Sequence, residues 1–162
     1  MKFNTDPSFI GIEGLKQVHD NQIEQFKKWE SRNDWEKFHG SHYDWWVFPI
    51  DRPSAYGYRY VVYEGEIREL KRDIQFIEKY LNGVEMVSAS WGWDVREKRT
   101  LSSLQDGQGW HQWPIRLFKA ALSVRLFGYD DLYNSLCIYA DELMKRGERM
   151  EYGGQDLRWV FQ

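Results

Sequence analysis

Three short segments place tryptophan beside histidine or aspartate: His42-Tyr43-Asp44-Trp45-Trp46, Trp91-Gly92-Trp93-Asp94 and Trp110-His111-Gln112-Trp113-Pro114. They hold six of the nine tryptophans, and each borders a Gly or Pro or lies within a few residues of one. Rings that stack, set among a few polar groups, are what a small-molecule pocket needs. A histidine exchanges protons near neutral pH, so His42, oriented by Asp44, and His111 are the candidates for acid–base chemistry. Trp45, Trp46, Trp93, Trp110 and Trp113, with Asp94, are the candidate walls. Beside this stands a plainer reading, in which the rings fill a core and His42 caps the preceding turn.

The third cluster adds a charge argument. Asp106-Gly107-Gln108-Gly109 precedes it and Pro114 suits the first turn of a helix. A glycine loop entering a helix N-terminus offers backbone N–H groups to an anion, and Arg116 in the first turn can grip phosphate or carboxylate. An ordinary loop with a solvated Arg116 is the alternative. His39 and His42 stand three residues apart, but without an HExxH pattern or a Cys partner, and with Gly40 between them, no metal is expected. No Walker or GxGxxG motif occurs, so no cofactor is expected. Cys137, the single cysteine, reads as a buried structural thiol. Asp51-Arg52, between Pro49 and Pro53, reads as a polar latch or a weak local ion pair.

The elements that must position these groups are mostly helical. Leu15, Val18, Gln22, Phe26 and Trp29 fall on one face of a helix predicted from Ile12 to Glu30. A turn from Asp34 to His39 ends at Gly40, a candidate left-handed cap. Tyr43 to Phe48 is ambiguous between strand and helix, and Tyr56 to Tyr63 alternates as a short strand would. Ile67, Leu70, Ile74, Ile77 and Leu81 predict one helix over 66–81, closed by Asn82-Gly83, with Val84–Ser90 either a strand or a further helical turn. A third helix from Pro114 to Phe127 is apolar on several faces and is therefore expected at the centre. Gly128-Tyr129-Asp130 then turns the chain into a fourth helix, capped by Asp130 or Asp131 and ending at Lys145-Arg146. The tail from Gln155 to Phe161 reads as an extended strand.

With 22 Lys and Arg against 25 Asp and Glu, the net charge is −3 and no run of one sign appears. A duplex-DNA binder carries a basic stripe, so that class is not expected. No window reaches the roughly 20 apolar residues that span a bilayer, and Met1–Ile10 lacks the pattern of a secretory leader. With one cysteine, a reducing cytoplasm is the natural setting.

Ser41-His42-Tyr43-Asp44-Trp45-Trp46-Val47-Phe48-Pro49 resembles the hallmark of a bacterial domain family labelled calpastatin-like, which shows Ser-His, aromatics and Phe-Pro. Tyr60, Tyr80-Leu81, Leu126-Phe127-Gly128 and Asp130 or Asp131 match its later positions. Ile50 replaces the family's glutamine, and Asn134-Ser135 its Ser-Ser. The match covers less than half of the chain. It implies a compact, mostly helical fold and no particular activity.

Residues 1–162 are thus expected to form one mainly α domain of about four principal helices, with aromatic-rich loops and a minor β-ribbon. Residues 44, 93 and 111 are expected to meet around one hollow that binds an anionic nucleotide- or ADP-ribose-like small molecule, with hydrolysis or transfer open. The alternative is an interaction or inhibitor module that uses exposed aromatics. The oligomeric state is not fixed by the sequence.

Overall fold

A computed structural model describes the whole chain, Met1–Gln162. It is mainly α, with five substantial helices: α1 (Gly11–Ser31), α4 (Glu64–Arg72), α5 (Ile74–Ser90), α6 (Pro114–Leu126) and α7 (Asp130–Lys145). Two shorter helices, α2 (Trp35–Gly40) and α3 (Asp44–Val47), link α1 to the proline loop. Two antiparallel ribbons complete it: β1 (Trp93–Asp94) with β2 (Arg99–Thr100), and β3 (Glu151–Tyr152) with β4 (Gln155–Asp156). A 3₁₀ turn, Arg158–Phe161, follows.

The central helix is α6, as its all-round apolar sequence predicts. Arg116 to Val124 are buried without interruption, and Leu117 and Val124 are fully sealed. Each such aliphatic side chain contributes about 1.5–3 kcal/mol on burial. The turn into α7 needs a left-handed residue, which Gly128 supplies at φ 84°. The Tyr129 N–H then donates to the Val124 carbonyl at 2.8 Å and closes α6. Tyr129 itself holds the N-cap position of α7 with no side-chain cap, so Asp130 and Asp131 act only as acids in the first turn, favourable to the helix dipole.

α1 lies against α2, α3 and α5 through Leu15, His19, Gln22, Ile23 and Phe26. Val18 and Trp29, expected on this face, are half-buried beside it. Phe26 stacks on Phe38 at 4.1 Å between ring centres, and Tyr43 meets Phe26 edge-on at 5.1 Å. On the other side of the core Tyr80 stacks on Phe127 at 4.6 Å, and its hydroxyl bonds Ser123 Oγ at 2.8 Å.

Several sequence expectations are corrected. The helix predicted over 66–81 is two helices. Asp73 turns extended (ψ 99°) and its carboxylate accepts the Phe76 N–H at 3.1 Å, starting α5 afresh. The break rotates the apolar phase, so Ile74 is 80% exposed while Ile67 and Leu70 stay buried. Gly83 does not end the helix. It sits inside α5, where an added Cβ would lie 3.0 Å from Ile23 Cδ1, and α5 runs on to Ser90.

The turn expected over 34–39 is α2, capped by the Asp34 carboxylate on Lys37 N–H, and Gly40 belongs to the helix instead of forming a left-handed cap. Tyr56–Tyr63 is no strand. Only an isolated bridge, Ser54 to Gly57, forms, because the chain turns repeatedly there. The tail is a strand only over Gln155–Asp156, which is β4; it then winds into the 3₁₀ turn, whose Val160 packs into the core.

His19 is fully buried on α1, tilted against Phe76 at 4.8 Å, and both ring nitrogens lack a hydrogen-bond partner. Burial pushes its pKa down to about 4, against a partial opposing pull from Asp20. The unfolded chain therefore binds one more proton than the folded one between pH 4 and 6.5, and stability falls as pH drops through that window. The loss for this one group is about 3 kcal/mol. Urea unfolding of the wild type and of His19→Leu between pH 4 and 7 should show the variant with a shallower dependence. Parallel curves would mean that His19 is not the buried acid-sensitive group.

Candidate functional site

A cleft of about 420 Å³ opens between α3, the first turns of α6, the proline loop and the β3–β4 ribbon. Its floor holds Asp44, Arg116 and Lys119, with side chains only 7%, 2% and 6% exposed. Lys119 Nζ donates to Asp44 Oδ2 at 2.8 Å, and Arg116 Nε stands 3.8 Å from Asp44 Oδ1. Two cations thus share one carboxylate, and a positive charge is left in excess beneath the surface.

The spacing that creates this is helical. Arg116 and Lys119 lie three residues apart on α6, and Asp44 opens α3 across from them. Arg116 also donates from Nη1 to the His39 carbonyl at 2.8 Å and from Nη2 to the Ser41 carbonyl at 2.7 Å. Its guanidinium carbon lies 4.6 Å from the Tyr43 ring centre and 5.3 Å from that of Trp113. Burial pushes the Tyr43 hydroxyl pKa upward, so it stays protonated.

Aromatic rings form the walls. Trp45 covers Lys119, its ring centre 5.0 Å from Nζ, and Trp113 stands beside Arg116. Tyr152 and Trp159 line the opposite side, and Arg52 reaches across the mouth with its guanidinium carbon 4.5 Å from the Trp159 ring centre. Arg52 comes only within 4.0 Å of Asp51, and both are solvent-accessible, so that pair is weak. His42 is exposed at the rim, 6.0 Å from Trp45 and 6.4 Å from Trp113 between ring centres.

The candidates named from sequence divide between this cleft and elsewhere. His42, Asp44, Trp45, Trp113 and Arg116 converge on it. Asp44 does not orient His42: its carboxylate is held by Lys119 and Arg116, and in a helical turn residues two apart point to different sides. Arg116 is no free anion grip, because two carbonyls and Asp44 occupy its guanidinium. Trp46 turns away, donating from Nε1 to Gln22 Oε1 at 3.1 Å and meeting Tyr60 edge-on.

The expected convergence of residues 44, 93 and 111 fails. Trp93 is 1% exposed, donates to Ser135 Oγ at 3.1 Å and packs on Tyr139. Trp110 joins Trp91 around the same tyrosine. Asp94 serves the turn after β1, accepting the N–H groups of Arg96 and Glu97. Gly92, at φ 81°, admits no ligand; the Leu104 side chain fills the space, 2.9 Å from where a Cβ would sit.

His111 is exposed and stacks face to face on buried His39 at 4.4 Å. Burial, with His111 and Arg116 adding to it, holds the His39 pKa down to about 4, so the ring is neutral and donates from Nε2 to the Gly107 carbonyl at 2.9 Å. The glycine loop is no anion cradle: Gln108 N–H is bound by Gln105 and Gly109 N–H by Ser90. Cys137 is half-buried instead of sealed, and burial raises its thiol pKa.

Sequence reasoning missed Lys119, Tyr152 and Trp159, and it read Arg52 only as a latch or local pair with Asp51. Lys119 carried a readable signal, a lysine set between Phe118 and Ala120 on the most apolar helix, one turn after Arg116. Tyr152 and Trp159 flank Gly153-Gly154, a tight-turn pair that marks a hairpin. No group of His, Cys, Asp and Glu is placed to hold a metal ion. No helix is long and apolar enough to cross a membrane. Comparison with protein-family models, curated proteins and solved structures gives no match.

Asp44→Asn leaves two cations buried without a carboxylate and should cost about 3–5 kcal/mol in denaturant unfolding. Adding Lys119→Met to it removes one of those charges, so the double variant should be more stable than Asp44→Asn alone. A double variant less stable than the single one would show that charge excess is not what governs the cluster.

Proposed function

We propose that the cleft binds a small anionic ligand carrying a flat ring or a sugar, of the nucleotide or ADP-ribose kind. The observation that carries this is the positive charge in excess on its floor, enclosed by Trp45, Trp113, Tyr152 and Trp159. A buried unmatched charge is costly, and a bound anion offsets that cost. The rings give a flat ligand stacking surface, and Arg52 supplies a further, exposed cation at the mouth. A volume of about 420 Å³ suits one such molecule.

The reading favours binding over turnover. His42 is the one free acid–base group at the rim, and no carboxylate orients it. The calpastatin-like resemblance of Ser41–Pro49 adds no activity, and a reducing cytoplasm suits the protonated thiol of Cys137.

A second reading, docking of a protein partner, draws on one feature. Tyr152 and Trp159 are 44% and 39% exposed at the mouth with Arg52 beside them, and Tyr56, 50% exposed, meets the wall residue Trp45 edge-on. Tyr, Trp and Arg are the residue types that anchor interfaces.

Titration of intrinsic tryptophan fluorescence against nucleotides and sugar phosphates tests the first reading. Quenching should saturate with at least one of them, and Trp113→Ala should weaken binding by about tenfold, the loss of one stacking contact. No response from any compound rejects it. Self-association in sedimentation velocity, abolished by Trp159→Ala, would then support the second.

A further inference from the structure

The donors around the cleft narrow the ligand further, on the premise that the cleft is a ligand site. Its charged lining residues are Asp44, Arg52, Arg116 and Lys119, with His42 at the rim. The one carboxylate is consumed by Lys119 and Arg116. Lys119 has three N–H groups and a single hydrogen-bond partner, Asp44. Arg52 makes no hydrogen bond to any protein acceptor; it rests on the face of Trp159 and approaches Asp51 only at 4.0 Å. The His42 ring likewise has no hydrogen-bond partner.

The hollow is therefore rich in donors and poor in acceptors, and the donors come from separate segments: α6 at the floor, the proline loop on one side, the link between α2 and α3 on the other. A carboxylate has two oxygens in one plane and a single charge. A phosphodiester likewise carries one charge and has two of its four oxygens esterified, and each phosphorus of the ADP-ribose pyrophosphate also carries one charge, with one oxygen esterified and one in the anhydride bridge. A terminal phosphate presents three acceptor oxygens in a pyramid and about −1.5 to −2 charge near neutrality. It alone meets donors arriving from three directions and offsets both the excess on the floor and Arg52.

We infer that the cleft selects a phosphomonoester, with the phosphate seated between Lys119, Arg52 and His42 and the ring or sugar held between Trp45 and Trp113. Arg116 does not touch the ligand. It fixes Asp44 and the carbonyls of residues 39 and 41, so that Lys119 keeps its position.

Isothermal titration calorimetry on the full chain tests this with three matched sets of probes: the four common nucleoside 5′-monophosphates, their 5′-methyl phosphodiesters and the parent nucleosides. Phenyl phosphate and benzoate serve as minimal analogues. At least one monophosphate should bind about tenfold more tightly than its methyl diester, the worth of one further charge-assisted hydrogen bond. Phenyl phosphate should likewise exceed benzoate. Arg52→Gln, an exposed change that leaves the core alone, should erase most of that preference while leaving nucleoside binding unchanged. Lys119→Met should do the same, with folding checked by circular dichroism.

Equal affinity for monoester, diester and benzoate would overturn the phosphomonoester assignment and leave the anion-binding reading standing. Absence of binding by every probe would overturn both. A preference that survives Arg52→Gln and Lys119→Met would place the phosphate elsewhere and reject the seat.

Discussion

The shared carboxylate of Asp44 is the constraint around which this protein is arranged. Arg116 and Lys119 both rise from the most buried helix, and neither can be left there without a partner. Asp44 meets Lys119 at 2.8 Å and Arg116 at 3.8 Å. Arg116 uses its remaining donors on the carbonyls of His39 and Ser41, the last turn of α2 and the residue after it. One guanidinium therefore ties α6 to the α2–α3 corner, and through Phe38 and Tyr43 to the aromatic face of α1. The same hydrogen bonds that organise the corner expose the cleft beside it, so fold and candidate site share a single foundation.

Five tryptophans of the three clusters sort into two groups by what lies beneath them. Trp91, Trp93 and Trp110 gather round Tyr139 of α7, and the Trp93 indole N–H is satisfied inside the protein by Ser135. That group is packing: it closes the end of α5 over the α6–α7 hairpin. Trp45 and Trp113 instead stand over cations and face an opening. An indole over a buried cation does two things at once. Its π face stabilises the charge, and its area keeps water from screening it. The positive potential of the floor is thus preserved until something anionic enters.

How much of this could be read from the residues depends on whether the cause was local. α6 and α7 were legible almost to the residue, because Pro114, Gly128 and the basic end at Lys145 are local punctuation and the apolar pattern between them is unambiguous. α1 was legible for the same reason, from its amphipathic spacing. The break at Asp73 was not, because Ile67 to Leu81 keeps helical spacing straight through it; the capping bond from Asp73 to Phe76 competes successfully with a continuous helix. The strand expected at Tyr56–Tyr63 failed because alternation alone does not supply a pairing edge, and none is near.

At the site, Trp45 and Trp113 were named from sequence as walls and stand as walls, whereas the roles expected of Asp44 and Arg116 did not hold and Trp46 turns away. Asp44 looked like a partner for His42, being two residues away, and its true partner lies 75 residues on. Composition could not show that Arg116 would spend its donors on backbone carbonyls. Grouping three Trp–His/Asp clusters into one pocket assumed that similar composition means shared location. The two outcomes, a cleft and a core knot, differ only in whether the neighbouring helix offers cations or a tyrosine.

The floor is buried and the mouth exposed, and that difference bears on affinity. The floor is held by buried hydrogen bonds and is already in place before any ligand arrives, so little conformational entropy is lost there on binding. The mouth is different. Arg52, Tyr152 and Trp159 are exposed, and Gly153 and Gly154 form the ribbon's turn, at φ 58° and 78°. Ordering those side chains costs about 0.5–1.5 kcal/mol each. An anion must therefore win its affinity at the floor and its selectivity at the mouth, where Arg52 exchanges the face of Trp159 for the ligand. Replacing an exposed cation–π contact worth about 0.5–1 kcal/mol by a charge-assisted hydrogen bond is favourable, and a ligand whose anionic group meets both Lys119 and Arg52 gains it.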